Sequence, residues 1–151
     1  MPVYELQRDG FTLSTDPARL QILVIHEFLS QHSYWAEGIP LEMVQRSIEN
    51  SLCFGLYLNT DQVGFARVIS DQATFAYLAD VFILPEFRGR GLSKWLVACI
   101  LQHPNLQGLR RWLLATADAH ALYAQAGFAP LDKAERWMEV ARPGIYQNLI
   151  T

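Results

Sequence analysis

Two arginines and two glycines share four consecutive positions, Arg88-Gly89-Arg90-Gly91, and this is the stretch with the clearest chemical purpose. Glycine lets a backbone approach a bulky anion, and arginine adds charge. Just before it, Leu78 to Leu84 holds Val81, Phe82 and Ile83 in a nearly unbroken apolar run, as expected of a strand buried on both faces. Pro85 ends that strand, because proline has no N–H to donate. Beyond the turn, Leu92, Trp95, Leu96, Cys99 and Ile100 recur at helical offsets. The turn therefore sits at a helix N-terminus, where the first backbone N–H groups have no partner within the helix. Residues Arg88, Gly89, Arg90, Gly91, Leu92, Ser93 and Lys94 form a cradle suited to a pyrophosphate, held mainly by backbone N–H groups.

Spacing separates this cradle from two common phosphate motifs. A Walker A loop needs Lys-Ser/Thr after its second glycine, but Leu92-Ser93 follows Gly91. A dinucleotide fingerprint needs a third glycine where Lys94 stands. A second strand–helix unit lies downstream: Arg111 to Thr116 reads as a buried strand, and Asp118 to Phe128 as a helix. Asp118 suits the N-cap, the alanine-rich turn favours helix, and Gly127 suits the position just past its end. Tyr123 lies opposite the polar Gln125 and can be read either as core or as catalytic.

Arg88-x-x-Gly91-x-Ser93 directly after a buried strand resembles the coenzyme A signature of the GNAT superfamily of N-acetyltransferases. The family form is Gln/Arg-x-x-Gly-x-Gly/Ala, so Ser93 departs from it with another small residue. The Leu122-Tyr123 helix closing on Gly127-Phe128 is similar to the family's second half-site, and the resemblance is sharp from about Val63 to Leu131. It implies acetyl-CoA as cosubstrate, with no metal. The thioester carbonyl and pantetheine arm would meet the backbone of Val81, Phe82 and Ile83. Asp118 would lie at the cofactor, and Tyr123 would donate to the departing sulfur. The segment between the first two helices would overlie the acceptor, which makes His32, Tyr34, Trp35 and Glu37 candidates for substrate contact. That segment is unusual by composition alone, although the same aromatics could instead tuck onto the core.

Acyl transfer needs a polarised carbonyl, a neutral amine and a proton for the leaving thiolate. Asp80 is the one carboxylate within the central strand, and in the histone-acetylating branch a glutamate stands near this point. It is therefore the candidate base, beside a structural reading in which it bonds neighbouring backbone. The expected function is direct transfer of an acetyl group to a primary amine of a small molecule or peptide within a ternary complex. The alternative is a non-catalytic acyl-CoA-binding sensor or interaction module of the same fold.

The elements that must position these residues follow from periodicity and turn chemistry. The reading expects an opening strand or hairpin around Asp9-Gly10 and a helix from Asp16-Pro17 to about Ser30. A second helix is expected over Pro40 to Asn50, then a three-strand meander over 51–58, 63–70 and 74–84. A last pair of strands is expected near Arg136 to Ala141 and Ile145 to Ile150, joined at Pro143-Gly144. This is an α/β (α+β) domain spanning the chain. It has a mixed, mostly antiparallel sheet of six or seven strands, splayed at the fourth and fifth, with about four helices. The 151 residues, 51% of them hydrophobic, suffice for one core. A net charge of -3 argues against nucleic-acid and anionic-membrane partners. Cys53 and Cys99 lie in apolar runs and read as buried free thiols. The opening MPVYELQRDG has no apolar signal-like region, so a cytoplasmic protein is expected, with homodimerisation possible by the resemblance.

Overall fold

A computed structural model describes residues 2–147. Six strands form one sheet in sequence order: β1 (Glu5–Arg8), β2 (Phe11–Ser14), β3 (Leu52–Leu58), β4 (Asp61–Ser70), β5 (Phe75–Ile83) and β6 (Arg111–Leu113). All neighbouring pairs are antiparallel except β5 and β6, which run parallel. The opening segment is a hairpin of two strands, so the splayed pair is the fifth and sixth strands of the sheet. The helices are α1 (Ile22–Glu27), α2 (Leu41–Glu49), α3 (Leu92–Leu101) and α4 (His120–Gln125).

The two faces of the sheet carry separate cores. One packs Leu92, Leu96, Val97 and Ile100 of α3, with Tyr123 of α4, against Phe54, Leu56, Val68 and Leu78. The other packs Ile25, Phe28, Leu29 and Val44 against Cys53, Phe65 and Phe82. The phase of β5 changes between the two ends of the strand. Ala76 and Leu78 face the α3 core, yet so does Ile83, an odd position. A β-bulge explains the switch: Arg67 opposes Ala79 and Phe65 opposes Phe82, so Ala66 faces both Asp80 and Val81. Asp80 takes the left-handed conformation, φ 56, and a bulge of this kind bends its strand and sharpens the twist.

The first helix departs from expectation. Asp16 caps only a short 3-10 turn, Pro17–Arg19, and the chain is extended at Leu20 and Gln21 before α1 begins. Gln21 breaks the helix because its groups are claimed elsewhere. Its N–H donates to Gln62 Oε1 at 2.7 Å, and its side-chain Nε2 donates to the carbonyl of Thr60 at 2.6 Å. At its other end α1 runs on into a π-helical turn, Phe28–His32, where the Ser30 hydroxyl donates to the carbonyl of His26 at 2.6 Å.

The expected pair of strands near the end is not formed among the described residues. Ala134–Arg136 is a 3-10 turn, and Trp137 to Ala141 pairs with no strand among the described residues. Met138 is 96% and Val140 85% exposed. Alternating apolar residues select an extended backbone but do not provide a sheet edge for it to join. The turn at Pro143-Gly144 is present, Ile145 to Gln147 continue that turn, and residues 148–150 of the second expected strand lie outside the described residues.

Candidate active site

β6 follows β5 only through Tyr77, opposite Leu113. Beyond that point the bulge at Asp80 carries β5 away, and the edge of β5 from Leu78 onward loses its strand partner on this side. The gap is a cavity of about 670 Å³ between Tyr77–Val81 on one wall and Leu114–Ala119 with Tyr123 on the other. β6 is shorter than the stretch Arg111–Thr116 read from sequence, for the same reason.

At the end of β5 the chain makes a 3-10 turn, Pro85–Phe87, and then the glycine turn. Gly89 (φ 79) and Gly91 (φ 75) both occupy the left-handed region, where other L-residues are strained, and Gly91 is the N-cap of α3. Among the described residues, no acceptor takes a hydrogen bond from the backbone N–H groups of Gly89 to Lys94. A Cβ at Gly89 would meet nothing within 4 Å, so the turn lies open. These features fit a bound pyrophosphate. The side chains contribute unequally. Arg88 Nε donates back to the carbonyl of Ile83 at 3.0 Å, Arg90 lies over the Phe87 ring at 5.8 Å, and Leu92 is buried in the core. Lys94 is exposed and Ser93 half-buried.

A residue that the sequence reading missed stands beside this turn. Arg8, at the end of β1, brings its Nη2 to 3.8 Å from where a Cβ on Gly91 would lie. It also meets Asp9 at 3.5 Å. No local pattern marks Arg8, because only the sheet brings β1 to α3.

Tyr123 lines the cavity and is 9% exposed. Its position is set by the end of its own helix. Gly127 (φ 101) lets the chain reverse, so that the Phe128 N–H donates to the carbonyl of Tyr123 at 3.1 Å. The Phe128 ring then meets the Tyr123 ring edge-on at 5.9 Å. Burial pushes the hydroxyl's pKa above its ordinary value, and Tyr34 and Asp118 push in the same direction. Asp118 does not cap α4 as expected. Ala119 is the N-cap, and Thr116 Oγ1 accepts from the N–H of Ala119 at 3.1 Å, leaving Asp118 on the cavity wall.

Of the four loop candidates, Tyr34 and Trp35 line the cavity; His32 and Glu37 do not. His32 is exposed against Phe28 at 6.1 Å, and Glu37 meets Gln147 Nε2 at 3.4 Å. The loop is tied down along its length. The Gly38 N–H donates to the carbonyl of Ser30 at 2.9 Å, the Ser33 hydroxyl donates to that of Leu29 at 2.6 Å, and His26 Nε2 lies 2.9 Å from that of Ile39. Trp35 Nε1 donates to Asp80 Oδ1 at 2.9 Å. The other oxygen, Oδ2, accepts from Arg67 Nε at 2.8 Å. The candidate base therefore has both oxygens engaged by protein donors. Val81 lines the cavity, whereas the side chains of Phe82 and Ile83 point into opposite cores, leaving only their backbone for a ligand.

The chain belongs to the acetyltransferase (GNAT) family, whose model matches residues 5–128. A provisionally named acetyltransferase of Gibberella zeae, FG08082, is 35% identical over 140 residues, covering 78% of each chain. A crystal structure of a GNAT-family protein from Xanthomonas campestris pv. campestris superposes with a TM-score of 0.90 at 55% identity. It covers 93% of this chain and 99% of that one. A GNAT acetyltransferase from Elizabethkingia anophelis with acetyl-CoA bound shares the fold at 14% identity and a TM-score of 0.62, covering 91% and 92% of the two chains. Among the described residues, no three His, Cys, Asp or Glu side chains group as metal ligands, and no helix is long and apolar enough to cross a membrane.

Proposed function

We propose that this protein is an acetyl-CoA-dependent N-acetyltransferase acting on a primary amine. The observation that carries the reading is that two stretches of unpartnered backbone meet along one strand. The unpartnered N–H groups of Gly89–Lys94 lie just past the end of β5, and the unpaired edge of β5 runs back from them along the cavity to Tyr123. One extended thioester carrying a pyrophosphate fills both.

In this reading the turn binds the pyrophosphate through backbone N–H groups, and the edge of β5 pairs with the pantetheine arm as an added strand. The amine nitrogen attacks the thioester carbonyl, a C–N bond forms and the C–S bond breaks. The amine gives up one proton and the thiolate takes one. Tyr123 supplies the second of these: its raised pKa keeps the hydroxyl protonated at neutral pH, and no protein group among the described residues competes for it. Asp80 acts as a positioning residue, holding Trp35 through one oxygen and Arg67 through the other on the cavity wall. The amine's proton leaves through water in the open cavity. Two buried free thiols suit a reducing cytoplasm.

The test measures acetyl-CoA binding by calorimetry and thiol release with a panel of primary amines. Binding with amine-stimulated release is expected. Binding without release from any amine would favour the sensor reading, and no binding would overturn both.

A further inference from the structure

We propose that the acceptor is a free amino acid with an apolar or aromatic side chain, and that Arg67 holds its carboxylate; this rests on the acyl-transfer reading above. Arg67 lies in β4 beside the bulge and lines the cavity, with a side chain only 16% exposed. A guanidinium offers five N–H donors in a rigid fork. Here Nε donates to Asp80 Oδ2 at 2.8 Å and Nη1 to Ser51 Oγ at 3.1 Å, and Nη2 has no partner among the described residues. Each Asp80 oxygen accepts one hydrogen bond, and Arg67 keeps donors to spare. A half-buried arginine with free donors on a cavity wall is a site for an anion of carboxylate shape.

The charges around it select a zwitterion. Arg67 and Asp80 offset each other, and Asp118 stands on the opposite wall without a cationic partner among the described residues. A dianion would be repelled by Asp118, and a simple amine would leave the Arg67 donors unused. An amino acid satisfies both walls, its nitrogen on the side of Asp118 and Tyr123, its carboxylate at Arg67. Ile39, Met43, Tyr77 and Tyr146 complete the cavity with apolar and aromatic surface for the side chain.

The experiment compares phenylalanine with phenylalanine amide and phenethylamine, and leucine with isoamylamine, by thiol release from acetyl-CoA. The free acids are expected to show kcat/KM at least tenfold above their carboxylate-free partners. In Arg67→Gln the gap is expected to close, chiefly through KM for the acid, with KM for acetyl-CoA unchanged. Equal or better turnover of the amide and the plain amines overturns the proposal, as does a gap that persists in Arg67→Gln. If that variant fails to fold, the wild-type comparison still decides. Acetyl-CoA binding without turnover of either acid overturns the carboxylate acceptor alone; failure of acetyl-CoA to bind overturns the acyl-transfer reading itself.

Discussion

The hydroxyl of Tyr34 accepts a hydrogen bond from the backbone N–H of Ala117 at 2.8 Å, joining residues 83 apart in sequence across the mouth of the cavity. Its neighbour Trp35 is bonded to Asp80 on the opposite wall, and the two rings meet edge-on at 5.0 Å. Adjacent residues of the loop are thus tied to the two walls of the cavity. Tyr34→Phe removes one of these ties and leaves the ring. A neutral hydrogen bond contributes about 1 kcal/mol, so KM for the amine is expected to rise about fivefold while KM for acetyl-CoA stays constant. A rise in both would place Tyr34 in the cofactor site instead.

Tyr123→Phe is expected to lower kcat at least tenfold with acetyl-CoA affinity nearly unchanged, because the ring contact with Phe128 survives and only the hydroxyl is lost. The pH dependence has a definite sign. The raised pKa keeps the acid form present through neutral and mildly alkaline pH, so a fall in kcat due to this group belongs above the ordinary tyrosine value of 10.0. A rate profile of wild type and variant checks both statements; an unchanged kcat removes Tyr123 from the chemistry.

Gly91→Val is expected to abolish acetyl-CoA binding. A β-branched residue at φ 75 costs roughly 1–2 kcal/mol in backbone strain, and its side chain would enter the space beside Arg8. Arg8→Ala retains the turn and removes one exposed charge, so a two- to tenfold rise in KM for acetyl-CoA is expected. S-acetylpantetheine, which lacks the phosphates, distinguishes the causes. Turnover of that thioester is expected to be indifferent to Arg8→Ala; an equal loss with both donors would make Arg8 structural.

Much of this site was legible in sequence because its parts are local. The strand, glycine turn and helix of 78–101 are contiguous, and so are Tyr123, Gly127 and Phe128. The bulge was not legible. Asp80 is not glycine, and Val81-Phe82-Ile83 reads as a strand buried on both faces, although the phase shift at Asp80 is what places Leu78 and Ile83 on one side. Arg67 went unnoticed for a related reason: a lone arginine in a strand is ordinary until a carboxylate 13 residues away is found to be paired with it at 2.8 Å. His32 and Glu37 share the composition of the loop but lie off the cavity, since spacing within a loop carries no fixed side-chain direction.

Cys53 and Cys99 are both buried. Burial pushes the Cys53 thiol up to about 12, with Arg67 opposing and Asp80 adding to the shift. A thiol whose pKa is higher in the folded state than in the unfolded chain stabilises the fold fully below the unfolded value. That contribution is lost as pH rises from about 9 toward 12. Native protein at pH 8 is expected to show no rapid reaction with a disulfide reagent, and both thiols to react after denaturation. A fast native thiol would show that one core opens more readily than its packing implies.

The Tyr57 hydroxyl is buried without a hydrogen-bond partner among the described residues. Burial also raises its pKa, and Arg19, lying over the ring at 4.3 Å, opposes the shift. The ring itself is well placed, folded over Gly55 on the same strand face. Tyr57→Phe keeps the ring and the cation above it, and removes only an oxygen that lost its hydration on folding. An unsatisfied buried polar group costs about 1–3 kcal/mol, part of which returns on removal. The variant is therefore expected to be more stable than wild type by about 1 kcal/mol in urea unfolding, with unchanged slope and unchanged activity. A loss of stability would mean that an ordered water or a shift of β3 satisfies the hydroxyl in solution.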